Sequence, residues 1–173
     1  MKRMVCCLAS VAMLCAQAPV FAAGGGGGSS GGGGGSSSSQ TKPADPVLVA
    51  AKAAIAKKDW AGAQAELERA LAANPNNADY HNLYAYSMRK GPNPDMNFVF
   101  RQYEEALRID ARHLGAHEYI GEAYLQVNNL AKAKEHLAAL DKICIFSCEE
   151  YRDLKKAVAA YESSHKTEAK QQN

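Results

Sequence analysis

His117-Glu118-Tyr119-Ile120-Gly121-Glu122-Ala123-Tyr124, with Asn129-Leu130 and then Ala133, Leu137 and Leu140, is the stretch that decides how this chain is read. Its larger side chains recur three and four apart, at His117, Ile120 and Tyr124 and again at Leu137 and Leu140, the spacing of one helical face. Asn128-Asn129 breaks the pattern, and Asn129 is a residue type whose side chain accepts from the first free N–H groups of a helix. Two amphipathic helices joined by a tight turn are the local expectation.

The same arrangement recurs upstream. One copy has His81, Tyr84, Ala85 and Met88, then Val99, Tyr103, Ala106 and Ala111; another has Val47, Ala50, Ala51 and Ala54, then Ala63, Leu67, Ala70 and Pro75. Val47 and His81 are 34 residues apart, and His81 and His117 are 36 apart. The extra residues fall in Gly91-Pro92-Asn93-Pro94, where a turn absorbs them. The second helix of each copy opens alike, with Asp59-Trp60, Asp95-Met96 and Asn129-Leu130. A period of 34 residues with small and large positions at these spacings resembles the tetratricopeptide-repeat (TPR) family, from Asp45 to Cys144. The resemblance implies an all-α fold: a right-handed TPR solenoid of three helix-turn-helix repeats, about 44–77, 78–113 and 114–147. Ala51, Ala85 and Gly121 then let the two helices of each hairpin approach closely, and stacked copies supply the core that one hairpin lacks.

A C-terminal capping helix is expected over about 148–163. Ser147-Cys148-Glu149-Glu150 fits a reciprocal capping box, and Tyr151, Leu154, Val158 and Tyr161 share one helical face. The TPR domain thus spans 45–163, and 164–173 reads as a polar, frayed tail.

Upstream of the repeats the chain has other purposes. Lys2 and Arg3 precede an uncharged apolar run, and Val20-Phe21-Ala22 ends it with residues a signal peptidase accepts; 1–22 reads as a secretory signal peptide. The apolar run is short for a bilayer span of roughly 20 residues, so no stable membrane span is expected after cleavage. Residues 23–44 read as a Gly/Ser-rich flexible linker with a mean reach of about 22 Å over its unbroken glycine and serine stretch. No strand precedes those glycines and no Lys-Ser or Lys-Thr follows, so they are not a phosphate loop. The chain carries 20 Lys and Arg against 18 Asp and Glu. Loss of Lys2 and Arg3 leaves it neutral, with no electrostatic footprint for nucleic acid. The expected location is the periplasm or cell envelope.

Few residues invite chemistry. Cys144 and Cys148 remain after the signal is removed, and in an oxidising compartment their spacing points to a structural disulfide, with free thiols or a metal as alternatives. His113 and His117 lie one helical turn apart, near where the end of the sixth helix returns, so with the two cysteines they make a chemically sensible zinc set. Against it, His117 and His81 occupy the same large-residue position of successive repeats. His136 and His165 read as solvated surface. No nucleophile, metallopeptidase or nucleotide motif is present, so no catalytic residue and no cofactor is assigned.

The functional expectation is a non-enzymatic protein-interaction module whose groove holds a partner segment. The resemblance places that groove along the first helix of each repeat. If His81, Tyr84, Ala85 and Met88 are taken by packing, the neighbouring stripe faces the partner. It comprises Lys52 (with Leu48), then Asn82, Tyr86 and Arg89, then Glu118, Glu122 and Leu125. Without the Lys/Arg clamp that some TPR domains use for a C-terminal carboxylate, the stripe fits a segment carrying Lys or Arg beside an apolar or aromatic residue. Reversal of both glutamates to Lys is expected to leave stability nearly unchanged. The alternatives are a metal- or redox-responsive envelope protein using Cys144, Cys148, His113 and His117, and a scaffold that self-associates through its first hairpin.

Overall fold

The computed structural model describes residues 44–171, with side chains through Lys166. The expected signal peptide and almost all of the linker lie outside the described residues. Seven helices follow in order: α1 (Pro46–Ala56), α2 (Trp60–Ala73), α3 (Ala78–Lys90), α4 (Met96–Ile109), α5 (Leu114–Gln126), α6 (Leu130–Ile143) and α7 (Glu149–Gln171). No described residue is in a strand.

The sequence sets each start. Asp45, Asp59, Asn77, Asp95 and Asn129 all accept from a backbone N–H of the first turn that follows, each contact contributing about 1 kcal/mol. His113 fills the same place for α5, accepting at Nδ1 from the Ala116 N–H at 3.1 Å. The stops of α1 and α5 are twins. Lys58 and Asn128 sit at φ 58° and 60°, and the next residues, Asp59 and Asn129, donate back to the carbonyls of Ala54 and Tyr124. That left-handed residue closes the helix and turns the chain into its partner. In the middle repeat the Gly91–Pro94 insertion replaces this turn, with Asn93 as the left-handed residue.

Helices pair as α1–α2, α3–α4 and α5–α6, and each hairpin packs on the next helix. α1 contacts α3, α3 contacts α5, and α5 contacts α7, so these four form an inner layer backed by α2, α4 and α6. Buried side chains gather into three clusters, around Ala51, Leu67 and Leu83, around Val99, Tyr103 and Ile120, and around Leu140, Leu154 and Val158. Each cluster needs residues from beyond one hairpin, which is why the repeats fold as a stack.

The two repeated histidines do matching work. His81 joins the Pro75 carbonyl at Nε2 (2.8 Å) and Gln102 Oε1 at Nδ1 (2.7 Å). His117 joins the Ala111 carbonyl at Nε2 (3.2 Å) and His136 Nδ1 at Nδ1 (3.0 Å). Each ties the preceding turn to the second helix of its own hairpin.

The third repeat and its cover depart from expectation in several places. His136 is not solvated surface: it is half-buried, stacks on Tyr124 with ring centroids 5.6 Å apart, and meets His117. Burial, and then the neighbouring His117, push its pKa down to about 4. Gly121 serves more than its own hairpin. A Cβ there would stand 2.6 Å from Leu154 Cδ2, so the missing side chain makes room for α7. Ser147 makes no capping bond; α7 begins at Glu149, with the Cys148 carbonyl accepting from the Arg152 N–H at 3.2 Å. The polar tail also continues α7 to Gln171, since Lys, Glu, Ala and Gln favour helix and no breaker interrupts them.

Candidate partner-binding groove

The inner layer carries a line of recesses. The first, about 250 Å³, is walled by Lys52, Ile55 and Ala56 of α1, Leu83 and Tyr86 of α3, and Tyr119 of α5. A second, about 430 Å³, lies between Arg89 and Lys90 of α3, Glu122, Leu125 and Gln126 of α5, and Ala157 and Tyr161 of α7. A third, about 340 Å³, runs from Glu118 and Glu122 to Asp153, Lys156, Ala157 and Ala160 of α7. Glu122 and Ala157 border both of the last two, so these are continuous.

Aromatic rings form the floor. Tyr86 and Tyr119 lie with centroids 4.6 Å apart, and Trp60 meets Tyr86 edge-on at 6.4 Å. Arg89 and Lys90 both approach the Tyr86 ring, at 5.6 and 5.7 Å. Rings so placed offer an aromatic contact rimmed by charge, a surface type enriched where proteins meet partners.

The expected groove residues fall into two groups. Lys52, Tyr86, Glu122 and Leu125 line the recesses, as do Arg89 and Glu118. Asn82 is not a surface contact: it is 4% exposed, set at the α3–α5 contact beside Gly115, and its Oδ1 has no hydrogen-bond partner. Leu48 likewise packs into the first core cluster. The reason is helical phase. Asn82 and Glu118 follow the packed His81 and His117 directly, so they sit where successive inner helices touch. Of the positions four and seven residues further on, Tyr86, Glu122 and Leu125 swing partly into the open, while Arg89 stays buried.

Arg89 and Glu122 are not independent groove charges. Arg89 Nη2 donates to Glu122 Oε2 at 2.7 Å, with the arginine side chain 5% exposed and the glutamate 28%. Arg89 Nε also reaches the buried Tyr103 hydroxyl at 3.4 Å. Burial works against the guanidinium charge, but Tyr103 and Glu122 outweigh it and hold its pKa above the ordinary value. Reversing Glu122 to Lys would set an ammonium against a buried guanidinium, so that substitution is not the neutral probe the sequence suggested. Burial, followed by Arg89, also shapes Tyr103, whose pKa is raised.

Glu118 stands apart. It is 9% exposed, and burial, then Glu122, Asp153, Glu150 and Glu149, push its pKa up to about 8. Glu118 is therefore not an ordinary solvated surface charge. Tyr119 beside it is raised to about 12, burial again first and Glu118 next.

The proposed zinc set does not assemble. His113 Nε2 pairs with Asp79 Oδ1 at 3.2 Å, His117 turns to His136, and Cys144 and Cys148 are bonded to each other with Cα atoms 5.7 Å apart. Among the described residues no group of three or more His, Cys, Asp or Glu is placed to hold a metal ion. Between the bonded cysteines, Ile145 and Phe146 are 86% and 90% exposed.

No family model matches the sequence, and no curated protein matches it. Solved structures do. The TPR2B domain of yeast Sti1, in its complex with pHsp70, superposes with TM-score 0.60 at 17% identity, over 68% of this chain and 94% of that one. The chain has the TPR fold. The first TPR domain of human RPAP3 is similar with TM-score 0.56 at 15% identity, covering 68% and 94%. The Yersinia enterocolitica type III secretion chaperone SycD, bound to a peptide of the translocator YopD, gives TM-score 0.57 at 13% identity, covering 71% and 92%. Against this TPR frame, the three hairpins are the repeats and α7 is the added cover.

The sequence reading overlooked Ile55, Leu83, Tyr119, Ala157 and Tyr161. Leu83 and Tyr119 hold matching places two residues after His81 and His117, so the repeat alignment could have found them. The α7 residues were hidden because that helix was read as a lid alone. Its contact with α5 makes it a fourth inner helix. Among the described residues, no helix is long and apolar enough to cross a membrane.

Proposed function

We propose that this chain is a non-catalytic protein-binding scaffold that holds a segment of another protein along α1, α3, α5 and α7. The observation that carries the reading is the recessed inner face, with the Tyr86 and Tyr119 rings in tilted contact at its start and open recesses along it. Its support from elsewhere is that structures of the same fold are seen in complex with pHsp70 and with a YopD peptide. Fold alone does not give function; the site does. A segment that fits this one has an apolar or aromatic residue against the tyrosines and a Lys or Arg toward the carboxylates of α5.

The N-terminal sequence favours a place in the periplasm or cell envelope. Lys2, Arg3 and the uncharged run ending at Ala22 have the order of a cleaved export signal. Intact mass of the protein from the envelope fraction is expected to match a chain beginning at Ala23. Protein retaining Met1 in the cytosolic fraction would refute this placement.

Binding is tested by affinity capture from an envelope extract with the parent and a Tyr86→Ala variant, both verified as helical. A true groove partner is retained by the parent and depleted by the variant, and it rebinds the purified parent in isolation. Equal retention by both proteins would overturn the groove assignment.

A further inference from the structure

The recess between α5 and α7 contains a carboxyl group that no hydrogen bond or ion pair matches. Glu118 is nine-tenths buried, yet it makes no hydrogen bond or ion pair with any described residue, and it lines this cavity of about 340 Å³. Glu122 beside it already accepts from Arg89. On α7, Glu149, Glu150 and Asp153 add negative charge, while Lys156 lines the same cavity from the solvent side. Tyr119 on α5 and Tyr86 on α3 complete the surroundings and bring no cation. A glutamine or leucine at this place would spare the fold a negative charge that burial and the neighbouring carboxylates oppose. The remaining walls, Ala157 and Ala160, are small and apolar.

We propose that this cavity is a subsite for one basic side chain of the groove's partner, with Glu118 as its receptor and Ala157 and Ala160 as the bed for the aliphatic stem. The inference deepens the groove reading and rests on it. It also gives capture a chemical signature. With its pKa at about 8, Glu118 carries a proton in the free protein at neutral pH. When the partner's cation enters, the carboxyl O–H bond breaks, the proton leaves to the buffer, and the incoming N–H donates to the carboxylate. Binding therefore strengthens as pH rises toward 8, by up to about tenfold per unit.

The probe is a library of random short peptides displayed on phage, selected against the purified full chain and against Glu118→Gln. The parent is expected to enrich peptides with Lys or Arg beside an aromatic or apolar residue. In the strongest of these, made synthetically, replacing the basic residue by norleucine is expected to weaken binding about 10- to 100-fold at alkaline pH. In Glu118→Gln that difference disappears. Calorimetry near pH 7 in two buffers of different ionisation enthalpy is expected to register release of close to one proton, lost in the variant. Peptides that bind the groove without a basic preference, or a preference that survives in Glu118→Gln, would overturn the subsite while leaving the groove standing. If no peptide is enriched, or binding is indifferent to Tyr86→Ala, the groove reading falls and the subsite with it.

Discussion

Replacing Gly121 by Ala puts one methyl group where α7 rests on the third repeat. That Cβ would lie 2.6 Å from Leu154 Cδ2 and 2.8 Å from Cδ1, and Leu154 is completely buried, so it has little room to yield. Two effects oppose each other. Alanine improves on glycine inside a helix by about 0.8–1 kcal/mol, while overpacking a filled site costs about 1–3 kcal/mol. The variant is expected to be destabilised, by up to about 2 kcal/mol. Leu154→Ala alone empties the site and costs about 2–5 kcal/mol. In the double variant the new methyl occupies space the leucine vacated, so overpacking vanishes and part of the cavity is refilled. The double variant should therefore be about 1–3 kcal/mol more stable than the sum of the singles predicts. Urea unfolding followed by far-UV circular dichroism measures all four corners of this cycle. Additivity within about 0.5 kcal/mol would refute the view that Gly121 is small for the sake of Leu154.

Stability should also depend on pH with a definite sign. Glu118 has a raised folded pKa, so its contribution is complete below its ordinary 4.5 and is lost as pH rises toward 8. His117 and His136 have depressed pKa values, so theirs is present above 6.5 and lost as pH falls, toward 4 for His136. The two trends oppose each other between pH 4.5 and 6.5. Above that, stability should fall by up to about 1.4 kcal/mol per pH unit, and Glu118→Gln should abolish the fall; a parent that stays flat from there to pH 8 would contradict it. Glu122→Leu leaves the buried Arg89 guanidinium without its carboxylate and is expected to cost about 3 kcal/mol, most of it recovered by adding Arg89→Met. A double variant as unstable as the single would show that the ion pair is not what holds α3 to α5 there. Non-reduced, alkylated peptide maps should link Cys144 to Cys148 within one chain, and reduction should lower stability by about 2 kcal/mol for a loop so short; two freely alkylated thiols would reject the link.

The repeat was legible because its signal is local. Caps at Asp59, Asp95 and Asn129, turns at fixed spacing and small residues in register can each be read within a few residues. The recessed face was legible in part, since the resemblance pointed to the first helix of each repeat and helical period then picked out Tyr86 and Leu125. What could not be read depends on contacts between elements far apart in the chain. Arg89 and Glu122 lie 33 residues apart, and both fell on the groove stripe, so nothing local marked them as partners. Gly121 matched the small position that spaces a hairpin, and only the docking of Leu154 revealed its other use. Glu118 sits on that stripe too, but the covering by α7 turned a surface carboxylate into a buried one. His136, with polar neighbours in sequence, gave no hint of the imidazole facing it from α5.

The measurement that bears most directly on the groove is amide chemical-shift mapping of the isotopically labelled protein as a selected peptide is added. Shifts are expected along the inner face, at Ile55, Tyr86, Tyr119 and Ala157 and their neighbours, with α2, α4 and α6 unmoved on their outer sides. Shifts confined to those outer helices, or to the exposed Ile145-Phe146 loop, would contradict it.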